Sequence, residues 1–492
     1  RLLARILSDR DAMDEAMVVL ESLLARAPDY HDARLDYGLL LLQQQKHALT
    51  RAQAEILLGQ APENRDYLKL YAAACVGLGD HEPVVDLYDN LLAGEVSSGT
   101  EAAELHLFRG NALKITGKQA EAIAAYRAAL AARPDYGVAW FSLANLKTYR
   151  FSDEEVVRLQ TAVNHPDCQP MDRVYLNFAL GKAHEDRADY AASWACYERG
   201  NALRAATCHY DPEVADICAS RLKEVFTPDF FAGRSGWGVA DASPIFIVGL
   251  PRSGSTLIEQ ILASHTAVEG TQELTEIDRY AGEICGRDPA CGLPLNPEAV
   301  ARLTREEVQA LGARFLSETR IYRRLGRPFF IDKMPNNVWH IGLIHLILPE
   351  AKIIDVRREP MACCFSNLKQ LFGTTHQPFS YSVEAIARYY RTYLGLMRHW
   401  DAVLPQKVLR VSYEEVVHDP ETSIRRLLSH CGLAFEPACL TFYDTQRSIR
   451  TPSSEQVRQP IGRDGLTQWQ NYAPWLGGLR DILGDALIRY RS

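Results

Sequence analysis

A glycine-containing loop directly after a short apolar run is the part of this 492-residue sequence best suited to bind an anion. The run at 245–248 reads Ile-Phe-Ile-Val, the loop at 249–256 reads Gly-Leu-Pro-Arg-Ser-Gly-Ser-Thr, and a helical apolar pattern follows. A strand, a glycine-containing loop and a helix in this order turn backbone amides and the positive end of the helix dipole toward a bound anion. The predicted anion-binding residues are Arg252, Ser253, Gly254, Ser255 and Thr256.

One position separates this loop from the Walker A pattern of nucleotide triphosphatases. Ser255 stands where such an enzyme has its lysine, and the positive charge lies at Arg252 instead. A kinase binds a triphosphate with Mg²⁺ and normally needs that lysine. A sulfuryl group carries less charge, and its transfer needs no metal. We therefore expect sulfuryl transfer without a metal, with a nucleotide kinase as the alternative.

The loop resembles the 5′-phosphosulfate loop of sulfotransferases, and most closely that of tyrosylprotein sulfotransferases. The similarity runs without a gap from 248 to 273. It implies a sulfuryl donor, 3′-phosphoadenosine 5′-phosphosulfate (PAPS), and a general base at Glu273. A carboxylate near the donor suits this role because the acceptor hydroxyl loses its proton as it attacks sulfur. Glu276 is the alternative carboxylate.

Two later segments continue the resemblance. The sequence Phe-Ile-Asp-Lys at 330–333 implies that Lys333 touches the bridging oxygen, where a cation stabilises charge developing on the leaving group. Arg358, followed eight residues later by Ser366, resembles the site for the donor's 3′-phosphate. Arg357 is the alternative to Arg358. A 3′-phosphate site would favour PAPS over ATP, which has no such group.

Two further segments complete the pattern. The segment 411–420 resembles the strand and turn that follow the 3′-phosphate site, which implies that Tyr413 lies near the adenine. The segment 451–460 resembles a loop that closes over the nucleotide, and it implies that Ser453 assists the transition state. Trp469 also matches the family.

The sequence departs from tyrosylprotein sulfotransferases at cationic positions. Gln370 and Gln468 stand where those enzymes have an arginine and a lysine, so donor binding needs compensation from Lys369, Arg357, Arg458 or Arg463. Thr275 replaces an arginine that reads acidic peptides, and Arg279 retains a matching charge. The acceptor therefore stays open among a peptide tyrosine, a glycan and a small molecule. A scaffold that binds nucleotide without turnover is a further alternative.

The first 150 residues indicate an internal helical repeat. Ala-Pro at 27–28 recurs 34 residues later at 61–62. Small residues at Gly110, Ala122 and Ala129 would let two helices approach closely, and Pro134 would end the second helix. This spacing resembles the tetratricopeptide repeat. Such repeats ahead of a sulfotransferase domain resemble a known bacterial architecture, in which their concave surface would bind a protein partner.

The predicted fold is an all-α tetratricopeptide-like superhelix followed by a P-loop-like, three-layer α/β sulfotransferase domain with a parallel sheet. Short apolar runs at 245–248, 351–356 and 408–411 alternate with helical patterns, as parallel strands do. The predicted domains are repeats at 1–150, degenerate helical repeats and a linker at 151–242, and the sulfotransferase domain at 243–492. Helices are expected to continue to about Val225.

Composition narrows the function classes. A net charge of −8 argues against a general nucleic-acid or anionic-membrane binder. No apolar stretch approaches the length of a membrane span, and the 11 cysteines form neither a CxxC pair nor a metal-ligand cluster, as is typical of free thiols in a reducing compartment. We therefore expect a cytoplasmic protein, although the sequence begins with arginine and a preceding signal segment would change this expectation.

Overall fold

The computed structural model describes residues 1–10, 12–96, 98–208, 210–373, 377–445, 447, 449, 451 and 453–491. The chain forms two compact units, one of residues 1–139 with 447–449 and one of residues 140–446 with 450–492. The three-part division at 150 and 242 stays a prediction. None of the helices in the described ranges is long and apolar enough to cross a membrane.

The first unit consists of α-helices. They are α1 (Leu2–Asp9), α2 (Met13–Arg26), α3 (His31–Gln43), α4 (His47–Gln60), α5 (Arg65–Leu78), α6 (Glu82–Ala93), α7 (Gly99–Ile115) and α8 (Gln119–Ala132). Consecutive helices pack against one another along this unit. A helical N-terminal region is thus confirmed, and its assignment to tetratricopeptide repeats stays a prediction.

The close approach of α7 and α8 depends on a glycine. A Cβ atom at Gly110 would lie 2.6 Å from the Tyr126 ring, so no larger residue fits there without displacing the ring. Ala122 and Ala129 are fully buried, and the Tyr126 hydroxyl donates to Asn111 Oδ1 at 2.9 Å. The prediction that small residues let these two helices approach is therefore confirmed.

The second unit begins with six helices, of which the last three contribute residues to its main hydrophobic core. They are α9 (Gly137–Ala144, which begins in the first unit), α10 (Asp153–Asn164), α11 (Pro170–Asp186), α12 (Tyr190–Cys208), α13 (Pro212–Val225) and α14 (Pro228–Ala232). Ser152 and Glu155 form a capping box that starts α10. Trp194, Phe226 and Phe230 belong to the same core cluster as Phe246 of the first strand. Helix α13 ends at Val225, the residue to which helices were expected to continue, but the short helix α14 follows it in the segment predicted as a linker.

A five-stranded parallel sheet lies at the centre of the second unit. Its strands are β1 (Pro244–Gly249), β2 (Val268–Gly270), β3 (Phe329–Lys333), β4 (Lys352–Arg357) and β5 (Val408–Ser412), in the order β2-β3-β1-β4-β5. Strands β1, β4 and β5 confirm the runs predicted as strands. Every residue of β1 is buried, so this strand is covered on both faces.

Further helices surround the sheet. They are α15 (Ser255–Ala263), α16 (Glu276–Cys285), α17 (Arg305–Glu318), α18 (Ile341–Ile347), α19 (Pro360–Leu368), α20 (Val383–Val403), α21 (Tyr413–His418), α22 (Pro420–His430), α23 (Asp464–Thr467), α24 (Gly477–Leu483) and α25 (Ala486–Arg489). Short 3₁₀ segments are Pro297–Arg302, Thr319–Tyr322, Pro335–Trp339, Pro378–Tyr381, Pro437–Cys439, Phe442–Asp444, Gln456–Arg458 and Gln468–Trp475. Strands β2 and β3 lie on one side of β1, and β4 and β5 lie on the other side. The order of the strands therefore changes direction between β1 and β4. Ligands of open parallel sheets bind outside such a reversal point.

Candidate active site

The parallel sheet brings the predicted site residues to one edge, because the carboxyl ends of all five strands lie there. Arg252 follows β1, Lys333 ends β3, and Arg358 follows β4. Glu273 lies three residues beyond β2, and Tyr413 begins the helix directly after β5. Each strand of this sheet thus contributes at least one candidate residue to the same edge.

The loop between β1 and α15 has an unusual backbone. Gly249, Arg252 and Gly254 all have positive φ angles, of 141°, 66° and 103°. A Cβ atom at Gly254 would lie 2.6 Å from the Tyr413 ring, so this glycine is needed for conformation and for space. Arg252 adopts a positive φ angle although it has a side chain, and this conformation costs roughly 1 kcal/mol or more. Residues at functional sites often have such strained backbones.

Contacts from β4 and α19 hold the strained loop in place. The Pro251 carbonyl accepts a hydrogen bond from Asn367 Nδ2 at 2.8 Å, and the Arg252 carbonyl accepts one from Arg358 Nη1 at 3.0 Å. Asn367 is fully buried. Sequence reasoning missed Asn367, and its only local signal is its place next to Ser366 on α19.

The Arg252 side chain brings two distant serines together. Its Nε donates to Ser366 Oγ at 3.3 Å and its Nη1 donates to Ser453 Oγ at 2.7 Å. Burial and the nearby Arg358 charge lower the pKa of Arg252 to about 10, which marks a crowded cationic environment. Residues predicted separately for the donor loop, the 3′-phosphate and the transition state are therefore hydrogen-bonded neighbours.

The loop that contains Ser453 also contacts the start of α15. Thr256 Oγ1 donates to Thr451 Oγ1 at 3.2 Å. Pro452, which belongs to the same motif, lies outside the described residues. These contacts place Thr451 and Ser453 against the anion-binding loop, as a segment that covers a nucleotide would need to be.

Several hydrogen-bond donors at the loop have no acceptor among the described residues. Ser253 Oγ and Arg358 Nε are buried without a partner. In the described part of the chain, the backbone amides of Gly254, Ser255 and Thr256 also have no protein acceptor. Buried donors without acceptors are costly, and an anion at a helix N-terminus would satisfy them. The loop therefore fits a bound oxyanion such as a phosphate or a sulfate group.

The two adjacent arginines at the end of β4, Arg357 within the strand and Arg358 directly after it, have different environments. Arg357 has a 2% exposed side chain; its Nε donates to Asp355 Oδ2 at 2.6 Å and its Nη1 to the Tyr490 carbonyl at 3.1 Å. Arg358 donates to the carbonyls of Arg252 and Gly465, and its guanidinium carbon lies 5.1 Å from the centre of the Tyr413 ring. Arg358 thus faces the loop, whereas Arg357 is an internal partner of Asp355.

Lys333 and Glu273 form an ion pair at the end of β3. Lys333 Nζ donates to Glu273 Oε1, with the Lys333 side chain 2% exposed and that of Glu273 47% exposed. Lys333 lies beside Ile247 of β1 in the sheet register, so the pair is adjacent to the strand that leads into the anion-binding loop. The structure therefore brings the predicted base together with the predicted bridging-oxygen cation.

The alternative carboxylate, Glu276, is placed differently. It is buried at the start of α16, its Oε2 has no hydrogen-bond partner, and burial raises its pKa. Burial, followed by the charge of Glu276, raises the pKa of Asp332 well above its usual value. Glu273 is thus the exposed carboxylate of this region. Across the described residues, no three His, Cys, Asp or Glu side chains are grouped as metal ligands.

Two of the four predicted compensating cations, Lys369 and Arg357, are used elsewhere. Lys369 Nζ donates to both carboxylate oxygens of Glu185 at 3.0 Å and to Gln468 Oε1 at 2.8 Å. The amide of Gln468 donates to the same carboxylate at 2.8 Å. With Arg357 bound to Asp355, neither Lys369 nor Arg357 is available to replace the charges absent at Gln370 and Gln468.

Comparison with known proteins agrees with this class of site. Residues 244–437 match the model of the sulfotransferase family. This segment contains all five strands, the anion-binding loop, Lys333 and Arg358. Residues 244–437 are therefore a sulfotransferase-family domain, which confirms the resemblance found in the sequence.

Individual relatives extend the comparison. An uncharacterized protein of Aquifex aeolicus (strain VF5) is 30% identical over 350 residues, which cover 69% of this chain and 45% of that protein. Protein-tyrosine sulfotransferase A of Caenorhabditis elegans is 24% identical over 258 residues, covering 51% of this chain and 66% of its own. The sulfotransferase domain of the Synechococcus PCC 7002 olefin synthase covers 47% of this chain and 89% of its own, at 21% identity and a TM-score of 0.35. The chain thus spans less than two thirds of the length of either curated relative.

Proposed function

We propose that this protein transfers a sulfuryl group from PAPS to an acceptor hydroxyl. The observation that supports this most is the pair of hydrogen bonds from Arg252 to Ser366 and Ser453. They join the loop suited to the 5′-phosphosulfate, the serine assigned to the 3′-phosphate and the serine assigned to the reaction. A donor that carries phosphate groups on both the 3′ and the 5′ oxygen of its ribose would fit this arrangement.

Each side chain has a distinct task in the proposed reaction. The donor supplies an activated sulfuryl group, whose bond to the bridging oxygen breaks as a new bond forms to the acceptor oxygen. Glu273 would take the proton that the acceptor hydroxyl loses. Lys333 would stabilise the negative charge that appears on the bridging oxygen, and Arg252 with Ser453 would hold the sulfuryl oxygens.

The donor's other groups would lie toward β4 and β5. Ser253, Gly254, Ser255 and Thr256 would bind the 5′-phosphosulfate through the donors that lack protein acceptors. Arg358 and Ser366 would bind the 3′-phosphate, since Arg358 faces the loop and Ser366 contacts Arg252. The Tyr413 ring packs against Gly254 and lies 5.1 Å from the Arg358 guanidinium carbon, and it would lie near the adenine.

The acceptor is proposed only as a hydroxyl compound. Arg279, the cation retained near the base, donates to Glu318 and lies 3.6 Å from Glu283, so its charge is already balanced. Recognition of an acidic peptide through Arg279 would have to break these pairs. Peptide tyrosine, glycan and small-molecule hydroxyls are therefore all to be tested. The helical first unit would hold a protein acceptor or partner if the acceptor is a protein.

The donor is tested by calorimetry in metal-free buffer with 3′-phosphoadenosine 5′-phosphate (PAP), ADP and ATP. We expect PAP to bind at least about tenfold more tightly than ADP, because a charge-assisted contact to the 3′-phosphate contributes roughly 1.5–3 kcal/mol. Tighter binding of ATP, especially with Mg²⁺, would contradict the proposal and favour a kinase. Tight PAP binding without sulfate transfer to any hydroxyl in a broad acceptor panel would favour the scaffold without turnover.

A further inference from the structure

Two helices that precede the first strand hold the carboxyl-terminal end of α19, the helix that carries Ser366. Helix α11 contributes Glu185, whose two carboxylate oxygens each accept a hydrogen bond from Lys369 Nζ at 3.0 Å. Helix α12 contributes Asn201, whose Nδ2 donates to the Leu368 carbonyl at 2.7 Å. Lys369 directly follows the last residue of α19, so both contacts act on the same helix end.

Glu185 is the centre of a buried polar network. Besides the bonds from Lys369, its carboxylate accepts hydrogen bonds from Gln468 Nε2 at 2.8 Å and from the Tyr472 hydroxyl at 3.1 Å. The side chains of Glu185 and Lys369 are 8% and 14% exposed, and Tyr472 is fully buried. A buried ion pair whose other hydrogen bonds are made is held in one geometry, and loss of one partner leaves an unbalanced buried charge. The network therefore fixes the end of α19 relative to α11.

The network also explains why residue 468 is a glutamine. Lys369 Nζ donates to Gln468 Oε1 at 2.8 Å, while the Gln468 amide nitrogen donates to Glu185. A glutamine can accept one of these hydrogen bonds and donate the other, whereas a lysine has only donors and would repel Lys369. Glu185 and Gln468 both lie outside the segment 244–437 that matches the family model, so the parts of the chain that flank this segment contribute the support.

The end of α19 that these helices hold is also the end that reaches the proposed donor site. Ser366 Oγ accepts the hydrogen bond from Arg252 Nε at 3.3 Å, and Asn367 Nδ2 donates to the Pro251 carbonyl at 2.8 Å. Both residues belong to the last turn of α19. This turn thus contacts the anion-binding loop as well as α12, and a displacement of the turn would move Ser366 away from Arg252.

We propose that Glu185 and Asn201 are positioning residues of the donor site, which hold Ser366 where it binds the donor's 3′-phosphate. They act through the end of α19 and not by contact with the nucleotide. This inference rests on the proposed function, since it assumes a donor with a 3′-phosphate. It makes α11 and α12 a required part of the nucleotide site, although they precede the segment that matches the family model.

The test measures binding of PAP and of adenosine 5′-monophosphate, which differ only in the 3′-phosphate, by calorimetry on the full chain. Glu185→Gln keeps the size of the side chain and removes the charge that balances Lys369. We expect it to weaken PAP binding roughly 10-fold and to change binding of the monophosphate by less than about twofold. Asn201→Leu should act in the same direction, because it removes the donor to the Leu368 carbonyl at similar volume.

Asp186→Asn is the matched control. Asp186 is the next residue of α11, its side chain is 9% exposed, and it pairs with Lys182 and Arg150, neither of which lies on α19. Since Asp186→Asn and Glu185→Gln each break a buried carboxylate–lysine pair, both should lower the unfolding temperature. Only Glu185→Gln should lower the ratio of PAP affinity to monophosphate affinity.

A double-variant comparison tests whether Glu185 acts through Lys369. Lys369→Met should weaken PAP binding as Glu185→Gln does, and the double variant should bind PAP no more weakly than the weaker single variant. Fully additive losses would contradict action through this ion pair. If Glu185→Gln fails to fold, the double variant, which buries no lone charge at this place, and Asn201→Leu decide in its stead.

Three outcomes would refute the inference. The first is equal weakening of PAP and the monophosphate by Glu185→Gln, and the second is an unchanged preference for PAP in this variant. The third is an equal loss of this preference in Asp186→Asn, which would show a general effect of lowered stability. If wild type itself bound PAP no better than the monophosphate, the proposed function would be wrong and the inference would be refuted with it, so the wild-type ratio separates the two failures.

Discussion

Arg252 Nη1 donates to Ser453 Oγ at 2.7 Å, across 201 positions of the chain. The arginine belongs to the loop after β1 and the serine to the segment that packs on that loop. Arg252 adopts a positive φ angle, and the Arg358 and Asn367 contacts that hold the loop leave its guanidinium directed at this serine. The two side chains should therefore act as one unit in catalysis.

Ser453→Ala should lower kcat about 10- to 100-fold, because a hydrogen bond from a charged donor contributes roughly 1.5–3 kcal/mol. Arg252→Met should lower it further. The double variant should be no slower than Arg252→Met alone, since the two side chains are expected to hold the sulfuryl oxygens as one unit. Steady-state kinetics of the four proteins measure this. Ser454→Ala, at a buried neighbouring serine, is the control, and fully additive losses from positions 252 and 453 would show that the two groups act independently.

Glu273→Gln should reduce kcat about 10²- to 10⁴-fold while PAP affinity stays within a few-fold of wild type, because a general base acts on the acceptor and not on the nucleotide. Glu276→Gln is the comparison, since Glu276 is a buried carboxylate with a raised pKa in the same region. It should retain most of the activity. The assignment of the base would be reversed if Glu276→Gln were the inactive variant and Glu273→Gln the active one.

Arg357→Met should lower the stability of the fold, whereas Arg358→Met should change nucleotide binding, although the two residues are adjacent. Arg357→Met leaves the buried Asp355 carboxylate without its cation and should cost about 3–5 kcal/mol of unfolding free energy. Arg358→Met should keep near-native stability and lose the preference for PAP over adenosine 5′-monophosphate. Denaturant unfolding and calorimetry measure the two effects. A loss of PAP preference confined to Arg357→Met would contradict the assignment.

Asp278→Asn tests the electrostatics of α16, the helix that follows Glu273. Burial acts to raise the pKa of Asp278, but the hydrogen bond and charge of His340, together with Arg287, lower it to about 2. A folded pKa below the unfolded value of about 3.9 means that the carboxylate stabilises the fold above pH 4 and that this contribution disappears as pH falls toward 2.

The Asn variant should therefore be about 2 kcal/mol less stable than wild type near pH 6, with little difference near pH 2. Denaturant unfolding over that pH range measures this. The exposed Asp229→Asn is the control and should show no such convergence. A stability loss that is equally large at both ends of the range would show that Asp278 acts through packing and not through its charge.

The sequence by itself determined the features that depend on neighbouring positions. The anion-binding loop, strands β1, β4 and β5 and the end of α13 at Val225 follow from local patterns of glycine, apolar runs and helix periodicity. The family resemblance then located Arg252, Glu273, Lys333 and Ser453. Strand β2 escaped prediction because a three-residue edge strand has no periodicity to recognise.

Only the tertiary structure decided which charges balance one another. Arg357 and Arg358 are adjacent in the chain, and their roles separate only because burial pairs one with Asp355 and turns the other to the loop. Lys369 looks able to bind a phosphate until Glu185 is seen to neutralise it. The contacts of Arg358 with the loop and of Lys369 with Glu185 join residues that folding brings together over more than a hundred positions, and no local pattern encodes such a contact.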